Sequence, residues 1–513
     1  MHSIVTFLAI LIPSYFIYLW HRRSRRLPLP PGPNGFPLIG NASDIPHDYA
    51  WLTYTEWQKK YGEIVHLNVF GHTTIILNSS KAATELLEKR SFNYSDRPRM
   101  VMANELVDWD WDFAHMSYTD RWRRHRRSFH QYFQPRNLSS YYPSHKKAVI
   151  TLLENFSKSP EEFPAHIRHY VASIVLRAAY GYEIQPVDDF YVRLVLNALE
   201  PLLQIVHAGN YLVEYIPALK HIPKWFPGAG FKRKAEVWAV GARALRDVPF
   251  KATKQAIADG VAQQSYVFDN LERLKAEGSI NTEEEEVVRN CAAIMYLAGS
   301  DTTASLLNSF MLAMAHYPAV QHRAQADLDA VVGKSRLPDF SDREALPYID
   351  AIISETMRWG PVTPLALPHR AISEDVYDGY RIPAGATITP NVWAILHDEE
   401  IYPEPFKFRP ERFIQEGEAE VQADPSIIGA FGFGRRICPG RHLVQNTAWL
   451  SIASILSVYN ISKPIDGDGK VVEPLIQYTD GLVSHPKPFK LQLTPRSGNV
   501  EKLIESARME LSV

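Results

Sequence analysis

Apolar and polar positions along the chain fall into three stretches of different rhythm. From Ser3 to Trp20 no charged residue occurs and most side chains are apolar. As a helix rising about 1.5 Å per residue the run spans about 27 Å, close to the hydrocarbon thickness of a bilayer. His21-Arg-Arg-Ser-Arg-Arg26 follows at once. Basic charge on the C-terminal flank, with almost none before the run, predicts an uncleaved single-pass anchor over residues 1–26, kinked at Pro13, that leaves the body cytosolic. Leu27-Pro-Leu-Pro-Pro-Gly-Pro33 is too proline-rich for helix and predicts a stiff spacer over residues 27–40. Residues 63–78 then alternate about Gly71 and His72, the rhythm of a β-hairpin. Beyond Lys81 the apolar spacing changes to three and four, punctuated by prolines. The expected fold class is mainly α with a small β-region, one large domain over residues 41–497 preceded by an N-terminal transmembrane helix and followed by a solvated tail, 498–513.

Composition narrows the function. The net charge of −2 and the scattered basic residues give nucleic-acid binding no support. Two cysteines, Cys291 and Cys438, cannot build a disulfide framework, which suits a reducing cytosol. Asn-x-Ser sequons at Asn41, Asn78, Asn93, Asn137, Asn155 and Asn460 then fall on the wrong side of the membrane for glycosylation.

Chemistry concentrates in Phe431-Gly-Phe-Gly-Arg-Arg-Ile-Cys-Pro-Gly440. Arg435 and Arg436 precede the sulfur of Cys438, an electropositive setting that favours thiolate. Pro439 suits the first position of a helix whose positive end would face the sulfur, and Gly440 lets backbone approach a flat cofactor. Cys438 is therefore the candidate metal ligand, whereas Cys291 reads as packing. Upstream, Trp122 and Arg126 stand four apart in Asp120-Arg-Trp-Arg-Arg-His-Arg-Arg127 and share a helix face able to grip a carboxylate. A long helix is predicted from Thr282, as N-cap in a capping box with Glu285, to about Tyr317. Asp301 is its lone carboxylate between Arg289 and Arg323, beside Thr302 in Ala298-Gly-Ser-Asp-Thr-Thr303, an expensive placement in an apolar run.

The spacing Phe-x-x-Gly-x-Arg-x-Cys-x-Gly, filled by Phe431, Gly434, Arg436, Cys438 and Gly440, resembles the haem-binding signature of the cytochrome P-450 family. Ala298–Thr303 resembles its oxygen-activation motif, and Glu355-Thr-Met-Arg358 with Phe408-Arg-Pro-Glu-Arg412 its buried Glu-Arg-Arg network. The resemblance implies a cytochrome P-450 fold, haem b ligated by Cys438, and propionates held by Trp122, Arg126, Arg436 and Arg370, with His369 as the alternative to Arg370. It implies that Thr302 presents its hydroxyl to dioxygen while Asp301 relays protons, that Glu355, Arg358 and Arg412 are structural, and that Pro361–Pro368 lies along the haem edge. It also implies that Tyr478–Val483 turns into the pocket and that residues 185–260 form a lid whose Tyr215–Pro227 run touches lipid. Trp109, Asp110, Trp111, Asp112 and Phe113 read equally as pocket wall or as aromatic cover for the core. Ser117 and Thr119 depart from the proline and glycine common there.

The expected function is monooxygenation of a lipophilic small molecule with O2, at the endoplasmic reticulum membrane, with electrons from NADPH-cytochrome P-450 reductase docked on the basic helix. No Gly-x-Gly-x-x-Gly nucleotide fingerprint occurs in the chain itself. The motif wording is nearest fungal members, which points to secondary metabolism. The rivals are a haem-thiolate isomerase or dehydratase that uses no O2, against which Asp301-Thr302 speaks, and a non-enzymatic membrane haem protein, against which the basic helix speaks.

Overall fold

Residues 63–78 fold as expected into a hairpin of β1 (Ile64–Val69) and β2 (His72–Leu77), with Val69 opposite His72. Phe70 and Gly71 both take positive φ, as a two-residue hairpin turn requires. The structure is a computed structural model describing residues 27–207, 209–414, 427 and 429–511. The predicted membrane anchor, residues 1–26, lies outside the described residues; within them no helix is long and apolar enough to cross a membrane.

Later strands are β3 (His369–Arg370), β4 (Asp375–Tyr377), β5 (Tyr380–Ile382), β6 (Thr387–Pro390), β7 (Tyr459–Ser462) and β8 (Gln492–Pro495). One sheet has the order β1-β2-β6-β3, and β4-β5 and β7-β8 pair separately. β6 runs parallel to β2 and antiparallel to β3, so residues more than 300 positions apart in sequence share one sheet. The longer helices are α1 (Ala50–Tyr61), α2 (Asp120–Tyr132), α3 (Tyr142–Lys158), α4 (Phe163–Tyr180), α5 (Phe190–Val206), α6 (Gly230–Ala258), α7 (Tyr266–Ala276), α8 (Thr282–His316), α9 (Pro318–Val331), α10 (Pro347–Trp359), α11 (Arg441–Val458) and α12 (Val500–Glu510).

α8 is the axis of the helical body. It is buried on nearly all sides from Val287 to Ala315, which its apolar, all-round composition requires. Its N-cap is Asn281, whose side chain accepts from Glu284 N–H at 3.0 Å, and not Thr282 as the sequence suggested. A short Asx oxygen one residue earlier reaches the first orphan donors, and Glu283 and Glu286 serve other partners. They pair with the basic helix: Arg124 Nη1 to Glu283 Oε2 at 2.5 Å, and Arg121 Nη2 to Glu286 Oε1 at 2.7 Å. Much of the charge expected on the face of α2 is thus spent within the fold.

Two other expectations are corrected, and one left open is decided. The proline-rich segment is no free spacer: Pro28 O accepts from Arg381 N–H at 2.8 Å and Pro31 O from His66 N–H at 2.9 Å. Prolines lack the donor but keep the acceptor, so the segment lies along the strands. The tail is not solvated: α12 buries Val500 and Ile504, four apart on one face, and Arg508 pairs with Glu154 of α3. Trp109 and Trp111 are core residues with ring centroids 5.0 Å apart, while Phe113 of the same loop faces the cavity described below. Two sequon asparagines, Asn41 and Asn78, are buried, which independently removes them as glycosylation sites.

Candidate active site

Cys438 is presented by a loop that only glycine permits. Gly432 and Gly434 have φ of 84° and 54°, and a Cβ on Gly434 would stand 2.1 Å from Leu87 O. Cys438 N–H donates to Phe431 O at 2.8 Å, folding the loop back on itself. α11 starts at Arg441 with Gly440 as N-cap, so Pro439 precedes the helix and does not open it. The sulfur still meets the helix N-terminus. Burial pushes the Cys438 thiol up, opposed by the Gly440 amide, by the guanidinium groups of Arg126 and Arg441, and by the Arg441 amide. Glu355 of α10 accepts from Arg358 Nε at 2.7 Å, Arg358 Nη2 at 2.9 Å and Arg409 N–H at 2.7 Å, with Arg412 Nε 3.2 Å away. The Glu355-Arg358 pair is fully buried.

Across a cavity of about 290 Å³ from the sulfur lies α8, contributing Ala298, Gly299, Thr302 and Thr303. The same space is lined by the predicted Trp122, Arg126, Phe431, Arg436 and Gly440, and by Val362, Thr363, Ala366 and Leu367 of the 361–368 segment. Thr302 Oγ1 donates to Ala298 O at 2.8 Å, one turn back in α8.

Two predicted site residues stand elsewhere. Arg370 turns away from the cavity and binds Asp96, Nε to Oδ2 at 2.9 Å. Its strand neighbour His369 takes the inward side, buried, with Nδ1 donating to Tyr94 O at 2.6 Å. Adjacent residues on a strand face opposite ways, so β3 admits one of the pair and excludes the other. Asp301 is also absent from the cavity lining; its Oδ2 lies 3.1 Å from His485 Nε2. The Tyr478–Val483 turn does not enter the cavity either. It is clamped to α8, Ser305 Oγ donating to Ser484 O at 2.5 Å and Tyr478 Oη to Ser309 Oγ at 3.2 Å.

Arg97 was not singled out by the sequence, yet it lines the cavity. It donates only to carbonyls, those of Ala114 at 2.9 Å and of Leu367 and Pro368 at 2.7 Å. Arg436 likewise donates to Ser95 O, Phe113 O and Met116 O, with its guanidinium carbon 4.3 Å from the centre of the Trp122 ring. Among the described residues Arg97, Arg126 and Arg436 have no carboxylate ion pair. Burial draws the Arg97 guanidinium down to about 10; burial, then repulsion from Arg97, draws Arg436 down to about 8. Burial and the charges of Arg97 and Arg436 hold the His369 imidazole well below its usual range. Such a cluster is costly alone and is relieved by a bound anion. The residues fit haem: two propionates among the guanidinium groups, an apolar ring against Phe113, Ile294, Ala298 and Ala366, and iron at the sulfur.

Residues 30–493 match the family model described as Cytochrome P450. The chain is 42% identical over 496 residues to a protein of Postia placenta named Cytochrome P450 monooxygenase 208, covering 96% of each chain. It is 41% identical over 504 residues to a cytochrome P450 monooxygenase of Armillaria gallica, covering 97% of this chain and 98% of the relative. It is 40% identical over 509 residues to the tryptamine 4-monooxygenase of Psilocybe cyanescens, covering 98% and 99%. With these matches running nearly end to end, through the cysteine loop and α8 alike, the chain belongs to the cytochrome P450 family of monooxygenases.

Proposed function

We propose that the protein is a membrane-anchored haem-thiolate monooxygenase that inserts one oxygen atom of O2 into a neutral, lipophilic small molecule of secondary metabolism. The observation that carries this reading is a cysteine thiol at a helix N-terminus, in a mainly apolar cavity that also takes Thr302 and three arginines with no carboxylate ion pair among the described residues. Held at Cys438, haem supplies reductive activation of dioxygen. Arg97, Arg126 and Arg436 hold its carboxylates, with His369 beside them. Phe113, Ile294, Val362 and Leu367 exclude water and contact substrate. Thr302 presents its hydroxyl oxygen to the reacting centre and Asp301 relays protons from the outer side of α8. Among the described residues no carboxylate lines the cavity, which favours a neutral substrate over an amine of the kind that names the Psilocybe relative.

Electrons come from NADPH through a separate reductase. The anchor over residues 1–26 holds the protein at the endoplasmic reticulum membrane. Trp225, 80% exposed, and Phe226, Leu212 and Ile216 nearby in the lid give an apolar surface suited to lipid and to a substrate arriving from it.

The reduced protein under carbon monoxide should show the thiolate-type absorption band, and Cys438→Ser should lose it. Substrate-dependent NADPH and O2 consumption is expected, whereas an isomerase or dehydratase leaves O2 untouched. Thr302→Ala should divert electrons to peroxide; unchanged coupling would remove its assigned role.

A further inference from the structure

Asp301 is tied to the C-terminal hairpin by one side chain, His485, and no sequence motif marked that histidine. Its Nε2 lies 3.1 Å from Asp301 Oδ2, and the two side chains are 28% and 16% exposed. The hairpin fixes the ring in place: His485 N–H donates to Thr479 Oγ1 at 3.0 Å, Thr479 N–H to His485 O at 2.7 Å, and Ser484 is held by Ser305 of α8. Asp301 therefore faces a solvent-reached imidazole on the side of α8 away from the cavity, while the next residue, Thr302, faces in.

We propose that His485 is the residue through which protons enter the oxygen-handling helix, passing them to Asp301. This rests on the monooxygenase reading of Asp301 and Thr302. Monooxygenation of a substrate R–H consumes O2, two electrons and two protons and yields R–OH and water; the reductase supplies the electrons and bulk water the protons. A carboxylate only accepts, so Nε2 carries the shared hydrogen. For each proton delivered, Nδ1 takes up a proton from water, the Nε2–H bond breaks as Asp301 Oδ2–H forms, and exchange with water returns the ring from its Nδ1–H to its Nε2–H form. A lysine or arginine here would be a permanent cation that locks the carboxylate, whereas imidazole has two ring nitrogens and can take a proton on one while giving one up from the other.

The test uses the purified haem-loaded enzyme. His485→Gln keeps an N–H donor for Asp301 but cannot relay a proton. It should lower product formed per NADPH by about tenfold, raise peroxide and enlarge the solvent deuterium isotope effect, with substrate affinity and melting temperature unchanged. Independently of turnover, exchange of histidine C2 hydrogens in D2O, read by mass spectrometry, should label His485 while the buried His125, His145 and His369 stay protected. A Gln variant with wild-type coupling and isotope effect, or a His485 as protected as those three, overturns the proposal. If Thr302→Ala uncouples and His485→Gln does not, only the proton entry falls; if Thr302→Ala leaves coupling intact, the reading of α8 falls with it.

Discussion

Arg358 and Arg412 converge on the two oxygens of Glu355, whereas Arg97 and Arg436 donate to carbonyls, Arg436 also lies over an aromatic face, and neither they nor Arg126 forms a carboxylate ion pair among the described residues. Both clusters put guanidinium groups out of water, and both pay for it in desolvation. The first is compensated within the chain and needs nothing more; it ties α10 to the segment 396–412. The second is left short of negative charge at the edge of a cavity, with carbonyl dipoles doing part of what an ion should do. A buried charge whose counter-ion is missing marks a place where something else binds.

The sharpest way to break this contrast is to open the closed cluster. Glu355→Ala strands Arg358 and Arg412, and should cost about 3–5 kcal/mol, seen as collapse of the urea midpoint and of the cofactor-loaded fraction. A midpoint close to wild type would mean that the network is not what holds α10 to the segment 396–412. In the open cluster the opposite is expected. Arg126→Gln removes a charge that has no carboxylate ion pair among the described residues, so the cofactor-free protein should melt no lower than wild type. Haem retention should fall about ten- to a hundredfold, from the loss of about 1.5–3 kcal/mol of charge-assisted bonding, as measured by transfer to a haem acceptor. Equal retention would exclude Arg126 from the propionate site.

The smallest effect concerns the histidine beside the closed cluster. Burial, then the Arg358 charge, draws His397 down to about 3, and burial alone draws His145 down to about 4. Between these values and the unfolded value of about 6.5 the unfolded chain binds the extra protons, so stability rises with pH and is lost on acidification from about 6.5 to 4. His397→Phe should flatten that slope by about 1.4 kcal/mol per pH unit, the share of one proton, in melts across the window. A slope the same in both proteins would show that His397 does not titrate as its surroundings imply.

Much of the site was legible because it is written in short-range spacing. Gly434, Arg436 and Cys438 sit within one loop, Trp122 and Arg126 one turn apart on α2, and Glu355 and Arg358 one turn apart on α10, so local geometry brings each set together. Arg97 escaped because nothing in Ser95-Asp-Arg-Pro98 connects it to a cavity assembled from α2, α8 and the cysteine loop. His485 escaped for the same reason, lying 184 residues from Asp301. The tail was misread because its apolar positions, Val500, Leu503, Ile504 and Ala507, are few, and a single narrow stripe suffices to dock a short helix.

The sequence by itself determined the chemistry: a thiol between arginines, a threonine after a lone aspartate in a long apolar helix, and a carboxylate three residues before an arginine. These are matters of residue type and helical or loop spacing, which the chain carries at every point. Which way a side chain faces was decided by tertiary structure. His369 and Arg370 are neighbours of similar promise, and only the pairing of β3 with β6, together with Asp96 waiting on the outer side, turns the histidine in and the arginine out. Asp301 and Thr302 are neighbours too, and the helical turn between them sends one to the cavity and the other to His485. Strand register and helix rotation depend on partners hundreds of residues away, so no local pattern contains them.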